Sequence, residues 1–292
     1  MIIENLAVGV VTYNRLDLLK KVIEGLRNQS LKPHAIFVVN NSSTDGTTEW
    51  LETQSDLTVF TQANTGSSGG QYKSILEMYR NGYEWMWIMD DDVCPAEDCL
   101  ENLFAMRNEK TITVPLRIGT NGKVYYNDTL KFNFANPFKS IWAKILSEND
   151  INETKIEADG VTFEGLFFNR SLITDIGLPD QDFFIYADDT EFLIRANRAG
   201  YKSFIIKDAI LNRMLTPPDD EHIFTWKHYY VLRNIMVVDI LYGNIFIKIF
   251  RPFLYTLVWL FRSKSIDNLK TVLRAFKDAY LYKQKNLKVG ND

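Results

Sequence analysis

Three adjacent carboxylates, Asp90, Asp91 and Asp92, end the apolar run Trp85-Met86-Trp87-Ile88-Met89. A short apolar run reads as a buried strand, and carboxylates are rarely buried unless paired or bound to a metal. Oxygen-rich sites suit hard ions such as Mg²⁺ or Mn²⁺, which often bridge a carboxylate to substrate phosphates. Taken alone, the triplet reads equally as a solvated acidic turn. A second acidic group, Asp188-Asp189-Thr190-Glu191, opens a helical pattern that continues through Phe192, Arg195 and Ala196 and stops at Gly200. The helix dipole stabilises acids in a first turn. Asp188 and Asp189 therefore read either as helix-start residues or as a general base held ionised near neutral pH.

Two further segments carry polar chemistry. Asn64-Thr65-Gly66-Ser67-Ser68-Gly69-Gly70 precedes a helical stretch; glycines admit close backbone approach to a ligand, and a helix start favours anions. It is not a kinase-type phosphate loop, because Lys73-Ser74 lies too far beyond the glycines. In Lys227-His228-Tyr229-Tyr230-Val231-Leu232-Arg233-Asn234, Arg233 either meets a diphosphate, whose oxygens a guanidinium matches, or forms a surface pair while the tyrosines pack.

These groups need a scaffold, and strands alternating with helices supply one. Leu6 to Thr12, Ala35 to Asn40, Leu57 to Gln62 and Glu84 to Met89 read as strands; Arg15 to Gln29, Thr47 to Gln54 and Gly70 to Asn81 read as helices. The alternation predicts βαβ units with parallel strands, in which ligands bind beyond the carboxyl ends of the strands. Four polar clusters fall at those ends: Thr12-Tyr13-Asn14-Arg15, Asn40-Asn41-Ser42-Ser43, the glycine-rich segment and the Asp triplet. From Thr111 the pattern weakens to strand pieces at Thr111 to Ile118 and Lys123 to Tyr126, then an aromatic irregular segment with Phe132, Phe134, Phe138 and Trp142. Asp159 to Asn169 is strand-like, and Arg170 to Gly177 is a short helix.

The 292-residue chain has 46% hydrophobic and 24% charged residues, ordinary for a globular protein. Cys94 and Cys99 form neither a disulfide framework nor zinc spacing. No basic-then-apolar leader opens the chain, so a cytoplasmic location is expected, at the inner face of the cell membrane. Charge is unevenly spread: from Thr225 onward 12 Lys/Arg stand against 4 Asp/Glu, whereas the preceding part has 21 against 33. The expected organisation is a catalytic domain over 1–224 and a helical, basic, aromatic extension over 225–292. Lys248, Arg251 and Pro252 interrupt the apolar stretch Asn244 to Phe261, so it supplies no clean span, and Pro252 disfavours an unbroken helix. Ile266 to Tyr282 is basic and amphipathic, fit for a membrane surface; packing on the body or in a homo-oligomer is the alternative. The interleaving of cations with long apolar stretches fits lipid rather than nucleic acid.

Asp90-Asp91-Asp92, Thr12-Tyr13-Asn14-Arg15, Asn41-Ser42-Ser43-Thr44-Asp45-Gly46-Thr47 and Asp188-Asp189-x-Glu191-x-x-x-Arg195, in this order, resemble glycosyltransferase family 2 over roughly Leu6 to Asn234. Asn64-x-Gly66-x-x-Gly69-Gly70, Trp87-x-x-Asp90 and Tyr229-Tyr230-x-x-Arg233-Asn234 most resemble its bacterial galactofuranosyl- and rhamnosyltransferases. The resemblance implies a GT-A fold, a mixed sheet flanked by helices, and an inverting displacement that moves a sugar from a nucleotide donor to a saccharide acceptor, lipid-linked in this reading. It implies that Thr12, Tyr13, Asn14, Arg15, Asn40, Asn41, Asn64, Gly69, Asp91 and Arg233 line the donor site. Asp90 would lie near ribose and metal, and Asp92 would be the main ligand of Mn²⁺ or Mg²⁺. Asp189, with Asp188 beside it, would be the base. Related galactofuranosyl enzymes place a metal-binding His after the next strand, where this chain has Ile210-Leu211-Asn212-Arg213-Met214. His222 or His228 would substitute, Arg213 would supply the charge, or diphosphate and water would complete the shell; the last is favoured.

Two rivals stand beside this reading. A nucleotidyltransferase would usually carry a Gly-rich, Arg/Lys-bearing motif where Thr12-Tyr13-Asn14-Arg15 stands. A non-catalytic sugar-binding scaffold would not need a base, so the second acidic group argues against it.

Overall fold

The computed structural model describes residues 2–216 and 224–290. Its first half is β1 (Ile2–Thr12), α1 (Leu16–Arg27), β2 (Lys32–Asn40), α2 (Thr47–Glu52), β3 (Leu57–Thr61), α3 (Gly66–Arg80) and β4 (Trp85–Asp90). All four strands run parallel, in the order β3-β2-β1-β4. Strands covered on both faces read as continuous apolar runs, and β1 follows that rule. Ala7 joins Ile75, Met78 and Met86 on the α3 side, while Leu6, Val8 and Val10 join Leu19, Val22 and Trp87 on the α1 side. Gly9 permits this closeness: a Cβ there would overlap Ser74 of α3.

The second half adds β5 (Val93–Pro95), α4 (Cys99–Ala105), β6 (Thr111–Ile118), the small hairpin β7 (Leu130–Phe132) and β8 (Trp142–Lys144), β9 (Lys155–Ala158), β10 (Leu166–Asn169), α5 (Ser171–Ile176), α6 (Asp188–Arg198) and β11 (Lys202–Arg213). The sheet continues β4-β10-β6-β11-β5, with β9 on β11. Because β10 runs antiparallel to β4 and β6, the sheet is mixed. Register aligns the strand ends that matter: Thr12 opposite Asn40, Asn40 opposite Thr61, and Val11 opposite Asp90.

Several expectations need correction. The glycine-rich segment is the first turn of α3, which begins at Gly66 rather than Gly70. Lys123 to Tyr126 contributes only an isolated bridge at Val124. The strand-like span Asp159 to Asn169 narrows to Leu166–Asn169. Pro252 does not break its helix.

Three helices follow: α7 (Lys227–Tyr242), α8 (Ile245–Arg262) and α9 (Ile266–Leu281). They build a third core that also takes Phe183, Ala187 and Ile194 from the segment leading into α6. Proline at 252 cannot donate to the carbonyl four residues back; the Tyr280 hydroxyl of α9 donates to that Lys248 carbonyl instead, at 2.7 Å. One residue earlier, buried Arg251 pairs with buried Asp239 of α7 at 2.7 Å and donates to the Asn133 and Asn136 carbonyls. Burial lifts the Asp239 carboxyl to about 6 despite that partner.

Candidate active site

The Asp triplet splits into three environments. Asp91 is buried and fully engaged: Thr12 Oγ1 donates to its Oδ2 at 2.8 Å and Arg15 Nη1 to its Oδ1 at 2.9 Å. It therefore fixes the end of β1 rather than facing a ligand. Asp92 stays partly open, with Arg15 Nη1 2.8 Å from Oδ2. Asp90 accepts from Gln71 Nε2 of α3 at 3.0 Å. Burial, with Asp92 and Glu164 as like charges, pushes the Asp90 carboxyl well above its ordinary range; burial also raises Asp92, against the pull of Arg15.

Glu164, which sequence reasoning missed, enters from the loop before β10. It meets Arg117 at 2.9 Å and Arg213 at 3.4 Å. Its only sequence signal is an acid set between Thr162 and Gly165, where φ is +87°. Arg213, an expected source of positive charge, reaches Asp92 electrostatically. Among the described residues, no three His, Cys, Asp or Glu side chains converge into a closed metal cage. His222 lies outside the described residues. His228 is spent locally, its Nδ1 accepting from Thr225 N at 2.9 Å and its ring stacked on Phe224. The donor set nonetheless fits a hard divalent ion: Asp90 is crowded by Asp92 and Glu164 and receives a single neutral donor, a deficit of positive charge that such a cation relieves.

On the neighbouring strand ends the asparagines brace loops. Asn14, with φ +53°, accepts from Thr44 N at 2.7 Å and donates through its own N to Ser43 Oγ at 2.9 Å. Asn40 Oδ1 accepts from Ser43 N at 2.9 Å, and Asn41 Nδ2 donates to the Gly66 carbonyl at 3.0 Å. Asn64 Oδ1 accepts from Gly66 N at 2.9 Å, starting α3. Gly69 is buried inside that helix, where a Cβ would strike the Thr65 side chain. Packing therefore accounts for this glycine, while Tyr13, Asn14, Arg15, Ser42 and Asn64 stand exposed on this edge.

The second acidic group stands on a strained approach. Phe184, Tyr186 and Ala187 hold φ of +66°, +67° and +59°, a region that costs non-glycine residues of order 1–3 kcal/mol each. Buried Asn234 of α7 holds them there. Its Nδ2 donates to the carbonyls of Phe183, Ile185 and Tyr186 at 2.9, 2.8 and 2.7 Å. Arg233 donates to the Asp182 and Phe183 carbonyls; its guanidinium supports this loop instead of presenting itself to a diphosphate. Glu191, fully buried, is gripped by Arg195 at 2.8 Å through both oxygens, and Tyr282 beyond α9 donates to Asp180 at 2.6 Å.

Helix α3 touches both acidic groups. Ser68 N donates to the Phe184 carbonyl at 3.1 Å and Ser68 Oγ to the Asp180 carbonyl at 2.7 Å, while Gln71, one turn on, holds Asp90. From the other side, Glu164 pairs with Arg117, which stands 3.6 Å from Asp128, and the charge of Asp128 acts on Asp189. The two acidic groups thus both adjoin α3, Ser68 acting on Asp188 and Gln71 on Asp90. Burial, then the charge of Asp188, raises Asp189 to about 8; burial raises Asp188 to about 6. Burial and the like charge of Asp188 thus oppose the ionised form that the helix start favours at Asp189.

Comparison with known proteins identifies the fold and the family. Galactofuranosyltransferase GlfT1 of Mycolicibacterium smegmatis is 25% identical over 199 residues, 65% of this chain and 65% of that protein. GlfT1 of Mycobacterium tuberculosis is 26% identical over 205 residues, 68% and 66%. The chain thus spans just under two thirds of the length of these two relatives. Among solved structures, GalNAc-T7 with UDP, GalNAc and Mn²⁺ superposes with a TM-score of 0.67 at 13% identity, covering 94% of this chain and 56% of that one. The mannosyltransferase PcManGT from Pyrobaculum calidifontis, in complex with GDP-Man and Mn²⁺, gives 0.54 at 17% identity, covering 96% and 76%. These likenesses carry the GT-A fold. The sequence profile of the glycosyl transferase family 2 matches residues 7–177, more than half of the chain, which is therefore a member of that family.

Proposed function

We propose that this protein transfers a sugar, galactofuranose by preference, from a nucleoside-diphosphate donor to a saccharide acceptor with inversion, in the assembly of a bacterial surface polysaccharide. The observation that carries the reading is the shared placement of two carboxylate groups in different electrostatic settings around α3. The first is short of positive charge; the second opens α6, behind a strained loop. Inversion by single displacement asks for this division: one end stabilises the departing diphosphate, and the other takes a proton from the attacking hydroxyl. The low-identity likeness to galactofuranosyltransferases favours that donor. The alternative within the family is a rhamnosyl donor on dTDP.

Asp92, with Asp90, would hold Mn²⁺ or Mg²⁺, and such an ion neutralises charge on a leaving diphosphate. Diphosphate and water would supply its other ligands. Tyr13 and Arg15, exposed beside Thr12, would meet the nucleotide; Asn14, Asn40, Asn41 and Asn64 shape its loops. Asp189 takes the acceptor proton, and Asp188 tunes it. A lipid-linked acceptor suits a protein with a basic, apolar C-terminal segment.

The test is a donor screen with purified protein: UDP-galactofuranose, dTDP-rhamnose and pyranose donors, each with and without Mn²⁺. Transfer from UDP-galactofuranose that a chelator abolishes and Mn²⁺ restores is the expected result. Transfer that ignores the chelator overturns the role of Asp92. A protein that binds donor, yet behaves identically after Asp189→Asn, is a binding scaffold rather than an enzyme.

A further inference from the structure

The outward face of the α8–α9 hairpin is apolar. Phe246, Ile249, Phe253 and Phe261 of α8 and Ile266 of α9 are each more than half exposed, Phe261 by 89%. Spacings of three and four residues put Phe246, Ile249 and Phe253 on one side of the helix. Ile247 and Arg251, on its opposite side, are buried. Exposed apolar patches of this kind mark interaction surfaces.

Charge says what covers it. Helix α8 has no acidic residue; its cations are Lys248, Arg251 and Arg262, and Lys264, Lys270 and Lys277 follow. Lys270 lies one turn from both Ile266 and Leu273, and Lys277 one turn beyond Leu273, so cations run along the apolar row. Of the acids on α9, Asp278 accepts from Tyr229 at 2.7 Å and Asp267 faces Lys270 at 3.7 Å. We propose that this face seats on an anionic bilayer surface, aromatic rings at the headgroup boundary and lysines toward lipid phosphates. A second copy of the chain is the competing occupant. A two-fold interface presses the same patch against itself and would set this basic row against its own image. Among the described residues no helix is long and apolar enough to cross a membrane, so the hairpin lies on the surface. The Arg251–Asp239 pair and the Tyr280 bond to Lys248 tie it to α7 and within itself, so it docks as a folded unit.

The inference is independent of the sugar chemistry and is tested without it, by flotation of the full chain with phosphatidylcholine vesicles with and without phosphatidylglycerol. Flotation with the anionic vesicles, weakening as salt rises, is expected. Phe246→Ser/Phe253→Ser/Phe261→Ser and, separately, Lys264→Glu/Lys277→Glu should each cut partitioning at least about tenfold, since a basic residue near such a surface contributes ~1 kcal/mol and its reversal more. Unchanged melting temperatures verify that the variants fold. Failure to float with either vesicle, or equal binding to both that ignores the lysine reversal, overturns the proposal. A dimer in sedimentation that the phenylalanine variant dissolves, without flotation, assigns the face to a second copy instead.

Discussion

Replacing Asp188 by Asn probes the proposed base through its neighbour. The charge of Asp188 is the largest cause, after burial, that raises Asp189 to about 8. A base is active when ionised, so kcat/KM, which reports the free enzyme, should climb with pH toward that value. Below it the slope should be about tenfold per pH unit, because about a tenth of a group titrating there is ionised one unit lower. In Asp188→Asn the like charge is gone while the shape is kept, so the acidic limb should move to lower pH by on the order of one unit. At neutral pH kcat/KM would then rise several-fold if the proton transfer limits it. Asp189→Asn, by contrast, should lower kcat by about 10²–10⁴ at unchanged donor affinity. The assay is a pH series of initial rates at subsaturating acceptor, with donor binding followed by calorimetry. A limb that stays put or moves to higher pH in Asp188→Asn refutes the electrostatic coupling. Loss of donor affinity in Asp189→Asn refutes the assignment of that residue to the acceptor proton.

Asn234→Leu removes the one amide group that donates to the carbonyls of Phe183, Ile185 and Tyr186, so the strained approach to Asp189 relaxes. Since a ~1 Å misplacement can cost ~10² in rate, kcat should fall at least tenfold on the order of that estimate, while calorimetric donor affinity holds. Arg251→Met strands buried Asp239 and should cost about 3–5 kcal/mol in chemical denaturation, most of it recovered in Arg251→Met/Asp239→Leu. Tyr280→Phe leaves the Lys248 carbonyl beside Pro252 without its donor and should cost about 1 kcal/mol in the same assay. Arg15→Ala frees Asp91 and Asp92 of their shared cation; nucleotide affinity should drop in titration calorimetry, with the larger loss when Mn²⁺ is omitted.

Much of this architecture is legible in the chain. Apolar runs bounded by polar turns locate β1, β2 and β4, because strands covered on both faces leave no place for polar residues. The polar residues after each run identify the edge at which a site can form. The Asp triplet and Asp188-Asp189 are visible for the same reason: acids at element ends need partners. The boundaries were less legible. Helix α3 starts four residues earlier than its glycines imply, since the Asn64 side chain accepts from Gly66 N and Gly69 and Gly70 serve close packing against Thr65 and Val11. Pro252 reads as a breaker because a sequence does not show that Tyr280, far along the chain, will donate in its stead.

By itself, then, the order of residues determined the four parallel strands of the first half, where their polar ends lie and where the two acidic groups stand, all consequences of local hydrophobic pattern. Tertiary contact alone decided what each acid does. Asp91 is consumed by Thr12 and Arg15; Asp90 is left short of positive charge by Asp92 and Glu164; Asp189 is lifted by burial and by Asp188. Arg233 and Asn234, next to one another in sequence, hold a loop about fifty residues upstream. A carboxylate's charge state depends on the solvent and charges within a few ångströms, and those neighbours arrive from everywhere along the chain.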